Sequence, residues 1–300
     1  MHDSTIATLL RLDAAGSAMG VRRLPSADSS ALFEQSVLPA LADHRGRIGL
    51  AMFSVLLDSA LGSGAYRGHG TSPLSVVASM SVALTGLQPQ TSTVYAEGSS
   101  VHIDAPSGTA LARAEVRDGG GAVMATATAR AASVDRSFIT EGAEPSASLP
   151  DVSVQHSSCP ADVDGLSHLR SLTGSIHGVG GLVSTYGLEI TELGFGRVVA
   201  RFAPMPWMLN PLGSVQGGVL AGLLALGTEL AGQAVTGPGQ NYALVDIGID
   251  LVKSPTLIMG PLTLRCSPAR SGRRFCLLDT TLRTEDGTLI ARSHGTVLTT

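Results

Sequence analysis

The sequence is short of most features that would mark a nucleic-acid-binding, metal-binding or disulfide-stapled protein. Lys253 is the single lysine among 20 basic residues, which face 24 acidic ones and leave a formal net charge of -4. General binding to nucleic acid needs a concentrated Lys/Arg footprint, and none is present. The cysteines, Cys159, Cys266 and Cys276, are odd in number and form no C-x-x-C. A disulfide framework or zinc site is not expected, and a reducing cytoplasmic setting is. Asp3, Arg11 and Asp13 interrupt the apolar residues at the start, so no secretory signal is expected. The histidines His44, His69, His177 and His294 lack an i, i+4 pair, so no catalytic metal is expected. The charge-free stretches Thr71–Ala96 and Ala203–Thr228 are broken by Pro and rich in Ser, Gly or Gln, so neither reads as a membrane span. Walker loop, dinucleotide fingerprint and G-x-S-x-G elbow are all missing.

What the sequence has is apolar bulk. Hydrophobic residues make up 44% of 300 residues and charged ones 15%, enough for a sizeable core and about two domains at roughly 100–200 residues each. Between Ser133 and Leu166 apolar periodicity gives way to Ser, Pro, Asp and Glu, which reads as a linker. Each flanking part holds one helix candidate that is apolar around most of its circumference, Ile48–Leu61 and Gly217–Ala234, so each should be buried on nearly all sides. Strand-like runs follow both. The first set is Ser75–Leu84, Thr93–His102, Ala110–Arg117 and Ala122–Ala132, and the second is Ala243–Val252, Gly260–Ser267, Arg274–Thr284 and Thr288–Leu298. Gly and Asp punctuate them as hairpin turns, as at Asp286-Gly287. An amphipathic lead-in, Leu182–Leu193 and then Gly196–Pro204, precedes the second helix, with Ala31–Val37 as its shorter counterpart.

One buried helix wrapped by an antiparallel sheet, twice over, resembles the hotdog fold. The expected class is α+β, with two fused hotdog domains. The boundaries are an N-terminal extension at 1–20, domains at 21–133 and 166–300, and a linker at 134–165. The segment Asn210-Pro211-Leu212-Gly213-Ser214-Val215-Gln216-Gly217-Gly218 resembles the N-x-x-G-x-x-H-G-G motif of phenylacetyl-CoA-type and 4-hydroxybenzoyl-CoA-type thioesterases, with Gln216 in the His position. Its chemistry is readable without the family. Gly217 and Gly218 open a helix, where N–H groups lack intrahelical acceptors and the dipole is positive. A thioester carbonyl facing them would be polarised. Taken alone, Gly-Gly at a helix start more often serves tight packing.

The resemblance also places a carboxylate nine residues after the motif His. In the second half that position is Ala225, and Glu229, one turn later, reads as a helix-end charge. In the first half it is Asp58, whose burial in an apolar helix would be costly without a role. There Leu50 replaces the key Gly and Asp43 the Asn. A Ser or Thr that holds water lies about ten residues before a Pro in the family; counting back gives Ser79 in the first half, with Ser75 and Ser81 nearby, and Val245 in the second. Because family sites straddle the dimer interface, these complementary losses imply one complete site and one dead one.

The implied reaction is hydrolysis of an acyl-CoA to carboxylate and free CoA. The Gly217 N–H would polarise the carbonyl, and Asp58 would act as general base or as nucleophile. Asn210 and Ser79 would orient water, and Gln216 would hydrogen-bond. Arg270, Arg273 and Arg274, with Gly218, would hold the CoA moiety, although an arginine-rich turn is as readily a solvated one. No cofactor beyond substrate CoA, no nucleic acid and no membrane partner is expected, and double-hotdog units could associate further. A non-catalytic acyl-CoA-binding protein is the main alternative. A dehydratase or hydratase would need a His paired with Asp58, and none lies near it in sequence.

Overall fold

The computed structural model describes residues 13–26, 29–67, 75–135, 148–154, 156–173 and 179–300. A short helix α1 (Ala14–Ala18) leads into strands β1 (Val21–Leu24) and β2 (Ser30–Ser36). The long helix α2 (Leu50–Gly64) follows, then β3 (Ser75–Leu84), β4 (Thr93–Asp104), β5 (Thr109–Asp118) and β6 (Val123–Ser133). After the connecting segment come α3 (Gly165–Thr173), α4 (Gly181–Thr185), β7 (Glu189–Gly194) and β8 (Arg197–Phe202). The second long helix is α5 (Gly217–Ala234), followed by β9 (Tyr242–Leu251), β10 (Leu262–Ser271), β11 (Phe275–Thr284) and β12 (Leu289–Thr299).

All 12 strands form one antiparallel sheet in the order β1-β2-β4-β5-β6-β3-β9-β12-β11-β10-β8-β7. The order reads alike from either end, and the seam is the β3–β9 pair, with Ser81 opposite Gly248. The sheet carries α2 and α5 on one face, as their nearly complete burial requires. The repeat extends to local hydrogen bonding. Before α2, Asp43 Oδ1 accepts from the N–H groups of Arg45 (2.8 Å) and Arg47 (2.9 Å). Before α5, Asn210 Oδ1 accepts from Leu212 (2.9 Å) and Ser214 (3.2 Å). Each of these loops turns at a glycine in the left-handed region, Gly46 at φ 79° and Gly213 at φ 72°.

Several expectations need amendment. The residues from Leu182 to Leu193 are not one amphipathic element: α4 and β7 divide them. The motif-like Gly180-Gly181 therefore precedes a helical turn rather than a strand, and its His177 and Gly178, like His69, lie outside the described residues. The elements α1, β1 and α3 were not anticipated; each is short, and length is what makes periodicity visible. Among the described residues, no helix is long and apolar enough to cross a membrane.

The helix–sheet contact is closest where both elements lack side chains. A Cβ on Gly98 of β4 would run into the Ala60 carbonyl of α2, and one on Gly64 would lie 2.5 Å from the Gly98 carbonyl carbon. Backbone cannot yield as a flexible side chain can. Gly98→Val is expected to lower unfolding stability by about 1–3 kcal/mol or more, the usual cost of overpacking a core position. A urea titration that leaves the midpoint unchanged would show that β4 and α2 separate at no cost.

Candidate functional site

The two long helices run antiparallel with their backbones in contact. A Cβ on Gly218 would lie 2.5 Å from Val55 Cα and 2.7 Å from the Ser54 carbonyl oxygen, and one on Gly222 2.7 Å from Ser54 Oγ. Tyr186, fully buried, donates from its hydroxyl to the Ala51 carbonyl at 3.0 Å and packs edge-on against Trp207. This contact sets the start of each helix beside the body of the other.

At one end of the contact Asp58 of α2 faces the first turn of α5. Its Oδ1 lies 3.0 Å from the place where a Gly217 Cβ would stand, and Leu251 Cδ1 lies 2.9 Å from that place. Any side chain at this position would collide with the acid. Asp58 Oδ1 is buried with no hydrogen-bond partner among the described residues. Burial pushes the Asp58 carboxyl up to about 7; the Gly218 N–H pulls it down and the negative charge of Asp13 adds to the rise. Sequence reading missed Asp13 as a participant. It caps α1 by accepting from the Gly16 N–H at 3.1 Å, and its own carboxyl is raised to about 6 by burial. The Ala15 N–H donates to the Leu209 carbonyl, which fixes α1 beside the loop that carries Asn210. An Asp just before a run of small residues was the available sign of a helix cap.

The other expected residues divide. Gln216 is the N-cap of α5, is buried and makes no side-chain capping bond; its Oε1 has no partner among the described residues. Asn210 does not reach toward a reacting group with its oxygen, which is occupied by Leu212, Ser214 N–H and, at 3.3 Å, Ser214 Oγ. It shapes the loop that delivers Gly217. Gly218 is required by the helix contact.

Ser79 is also corrected. A bulge between Val77 and Ser79 resets the alternation of β3, so that Met80 and Val82 face the helices and Ser79 and Ser81 turn to the opposite face. Ser75, before the bulge, donates to the Gly62 carbonyl of α2. Counting residues back from a Pro cannot register an inserted one. The pairing of Ser81 with Gly248, at the same offset as Leu50 and Gly217, also makes Asp246 the counterpart of Ser79, not Val245.

The arginine turn lies elsewhere. Arg273 and Arg274 offer their carbonyls to Thr299, whose strand neighbour is Tyr242 at the start of β9. Gly217 lies beside Leu251, at the other end of β9. Along α5, which has 18 residues, that separation is about 27 Å. Arg273 and Arg274 therefore lie far along the sheet from Asp58, whereas Arg270 pairs with Leu277, whose neighbour Thr296 faces Asp246 in the middle of β9.

The second crevice is not the empty counterpart that was expected. Glu229 is no helix-end charge: it is 6% exposed, and its Oε1 lies 2.6 Å from where a Gly49 Cβ would be, just ahead of α2. Burial and the neighbouring Asp43 raise its carboxyl to about 8, against the pull of Arg45 and Arg47. Asp43 is no lost function either, since it braces its loop as Asn210 does. It also pairs with Arg45 at 2.7 Å, and Arg45 stacks 3.7 Å over the Tyr242 ring.

No protein-family model and no curated protein matches the chain. Solved structures do. A hot dog fold protein of unknown function from Alicyclobacillus acidocaldarius is 14% identical with a TM-score of 0.61, covering 96% of this chain and 98% of its own. A provisionally assigned thioesterase from Novosphingobium aromaticivorans is 15% identical with a TM-score of 0.58, covering 92% and 97%. The tesB protein of Mycobacterium avium is 14% identical with a TM-score of 0.58, covering 99% and 98%. At such identities a match speaks for architecture alone, and on architecture these agree along nearly the whole length: the chain is an α+β protein with the hotdog fold.

Proposed function

We propose that the chain is a fused pair of hotdog domains that hydrolyses an acyl-CoA thioester at the Asp58 crevice. The observation that carries this reading is a buried carboxyl oxygen without a partner, on one long helix, set against the glycine first turn of the other. A helix start supplies N–H donors that are already oriented and need no reorganisation as an oxyanion forms. In this reading the thioester carbonyl accepts from the Gly217 N–H. Asp58 takes a proton from water as the water oxygen bonds to the carbonyl carbon; the carbon–sulfur bond then breaks and Asp58 returns that proton to the leaving sulfur, giving a carboxylic acid and the CoA thiol. The raised Asp58 carboxyl favours general-base over nucleophilic action, because a base works best with an acidity near the operating pH. The thioesterase designation of the Novosphingobium aromaticivorans protein supports the same class of reaction.

Asp58→Asn is expected to lower kcat by about 10²–10⁴-fold, the usual share of one acid–base group, with the fold intact. Free thiol release from a series of acyl-CoA esters measures it; turnover equal to that of the parent chain would remove Asp58 from the mechanism. Wild-type kcat should rise with pH and level off above about 7, where Asp58 is ionised. Asp13→Asn should move that midpoint to lower pH by removing a neighbouring negative charge.

Stability has the opposite slope. The folded-state carboxyl of Asp58, at about 7, lies above its ordinary value of 3.8, so between these limits the native state holds a proton that the unfolded chain has released. Stability should therefore fall as pH rises through this window, by up to about 1.4 kcal/mol per pH unit for this group. Asp58→Asn should flatten the slope in denaturant titrations run from pH 4 to 7; an unaltered slope would mean that Asp58 ionises freely.

A further inference from the structure

We propose that the second crevice binds a short-chain carboxylate, the class of product that the hydrolysis proposed above releases, and so lets product act back on the enzyme. The regulatory half of this rests on that hydrolytic reading; the binding does not. The crevice encloses about 50 Å³. At roughly 10–15 Å³ for each water-sized occupant, that admits about three to five non-hydrogen atoms, enough for a carboxylate and the carbons next to it, with the end of a four-carbon chain left at the open mouth. Its apolar side is formed by Phe53, Leu84, Met124 and Leu244, and its polar side by Arg45, Arg47 and Glu229 beside the start of α2.

The charges decide the sign of the ligand. Asp43 and Arg45 neutralise each other in their ion pair. Arg47 remains, its side chain donating, among the described residues, to the Gly86 carbonyl at 3.2 Å. Glu229 is nine-tenths buried, accepts no hydrogen bond among the described residues and stays protonated through neutral pH, so it offers a donor rather than a negative charge. The positive end of α2 adds to the field. An anion with a short apolar tail satisfies all of these groups together. Hydrolysis is not expected here: a protonated Glu229 cannot take a proton from water, and the position equivalent to Asp58 is Ala225, which is fully buried and apolar. The titratable and charged groups around Glu229 are Asp43, Arg45, Arg47 and Tyr242.

Isothermal titration of the full chain with sodium butyrate tests the site without any catalytic readout. Saturable binding at one site is expected, weakened on the order of tenfold or more in Arg47→Glu, the loss of one charge-assisted contact. Arg47 is exposed, so this variant should keep the parent thermal midpoint. Asp58→Asn should bind butyrate as the parent does, whatever its effect on thioester hydrolysis. Affinity should fall as pH is raised through about 8 in the parent and stay level in Glu229→Gln, which keeps a donor without ionising. The proposal is overturned if butyrate does not saturate, if Arg47→Glu binds with parent affinity, if Asp58→Asn abolishes binding, or if Glu229→Gln shows the parent pH dependence.

Discussion

The close approach of α2 and α5 governs the chemistry of this molecule. Small residues at Ser54, Gly218 and Gly222 let two helix backbones touch, and Tyr186 ties that contact to a carbonyl of α2. With bulkier residues the helices would part by several ångströms, and each helix start would face sheet or solvent. In contact, each start faces an acidic side chain from the other helix. Every electrostatic effect then acts in a medium from which the surrounding sheet has removed water, where fixed dipoles and single charges count for more than at a surface.

That geometry explains why three carboxyl groups are shifted in one direction. Asp13, Asp58 and Glu229 are all raised chiefly by burial, with like-charged neighbours adding to the rise of the latter two. In ordinary folding such groups cost stability, since the charged form is excluded and the neutral form gains little. Asp43 shows the alternative. It is equally buried, yet two N–H groups and a guanidinium satisfy it. Asp13 is likewise partnered, by the Gly16 N–H, whereas Asp58, with an unpartnered Oδ1 among the described residues, and Glu229 are the acids set against the helix starts.

Much of this could be read in the sequence, for reasons that also mark where reading fails. The helix over Gly217–Ala234 and the strand over Ser75–Leu84 are long and apolar, so burial alone fixes their extent. The meeting of Asp58 with Gly217 was expected from the family resemblance, which supplied both the spacing of the acid along its helix and the pairing of the two halves across an interface. Ser79 was not, because one bulged residue reverses the face of everything beyond it, and nothing in composition announces a bulge. The arginine turn failed for a different reason: a turn between strands could be named, but not which end of a 12-stranded sheet it occupies. Glu229 was misjudged because its position falls beyond the expected spacing. A glutamate one turn farther along is longer by a methylene than aspartate and reaches back to Gly49.

The two crevices thus descend from the same scaffold and differ in which group meets the helix start. Opposite Gly217 stands an aspartate whose acidity lies near neutrality, able to exist in either form. Opposite Gly49 stands a glutamate whose neighbours include Asp43 and which is shifted further. Near pH 7 the first can accept a proton and the second can only give a hydrogen bond. Duplicated loops with matched bracing bonds at Asp43 and Asn210 lead into both helix starts, although the N-cap backbones differ, Gly49 at φ -127° and Gln216 at φ -63°. They differ further in side-chain charge: Arg45 and Arg47 flank one helix start, whereas Leu212 and Ser214 occupy the corresponding positions at the other. A cationic rim beside a neutral acid selects an anion to hold. In the proposed reading, an uncharged loop beside an ionisable acid would leave the helix dipole free to act on a carbonyl, so that one scaffold would serve two different tasks.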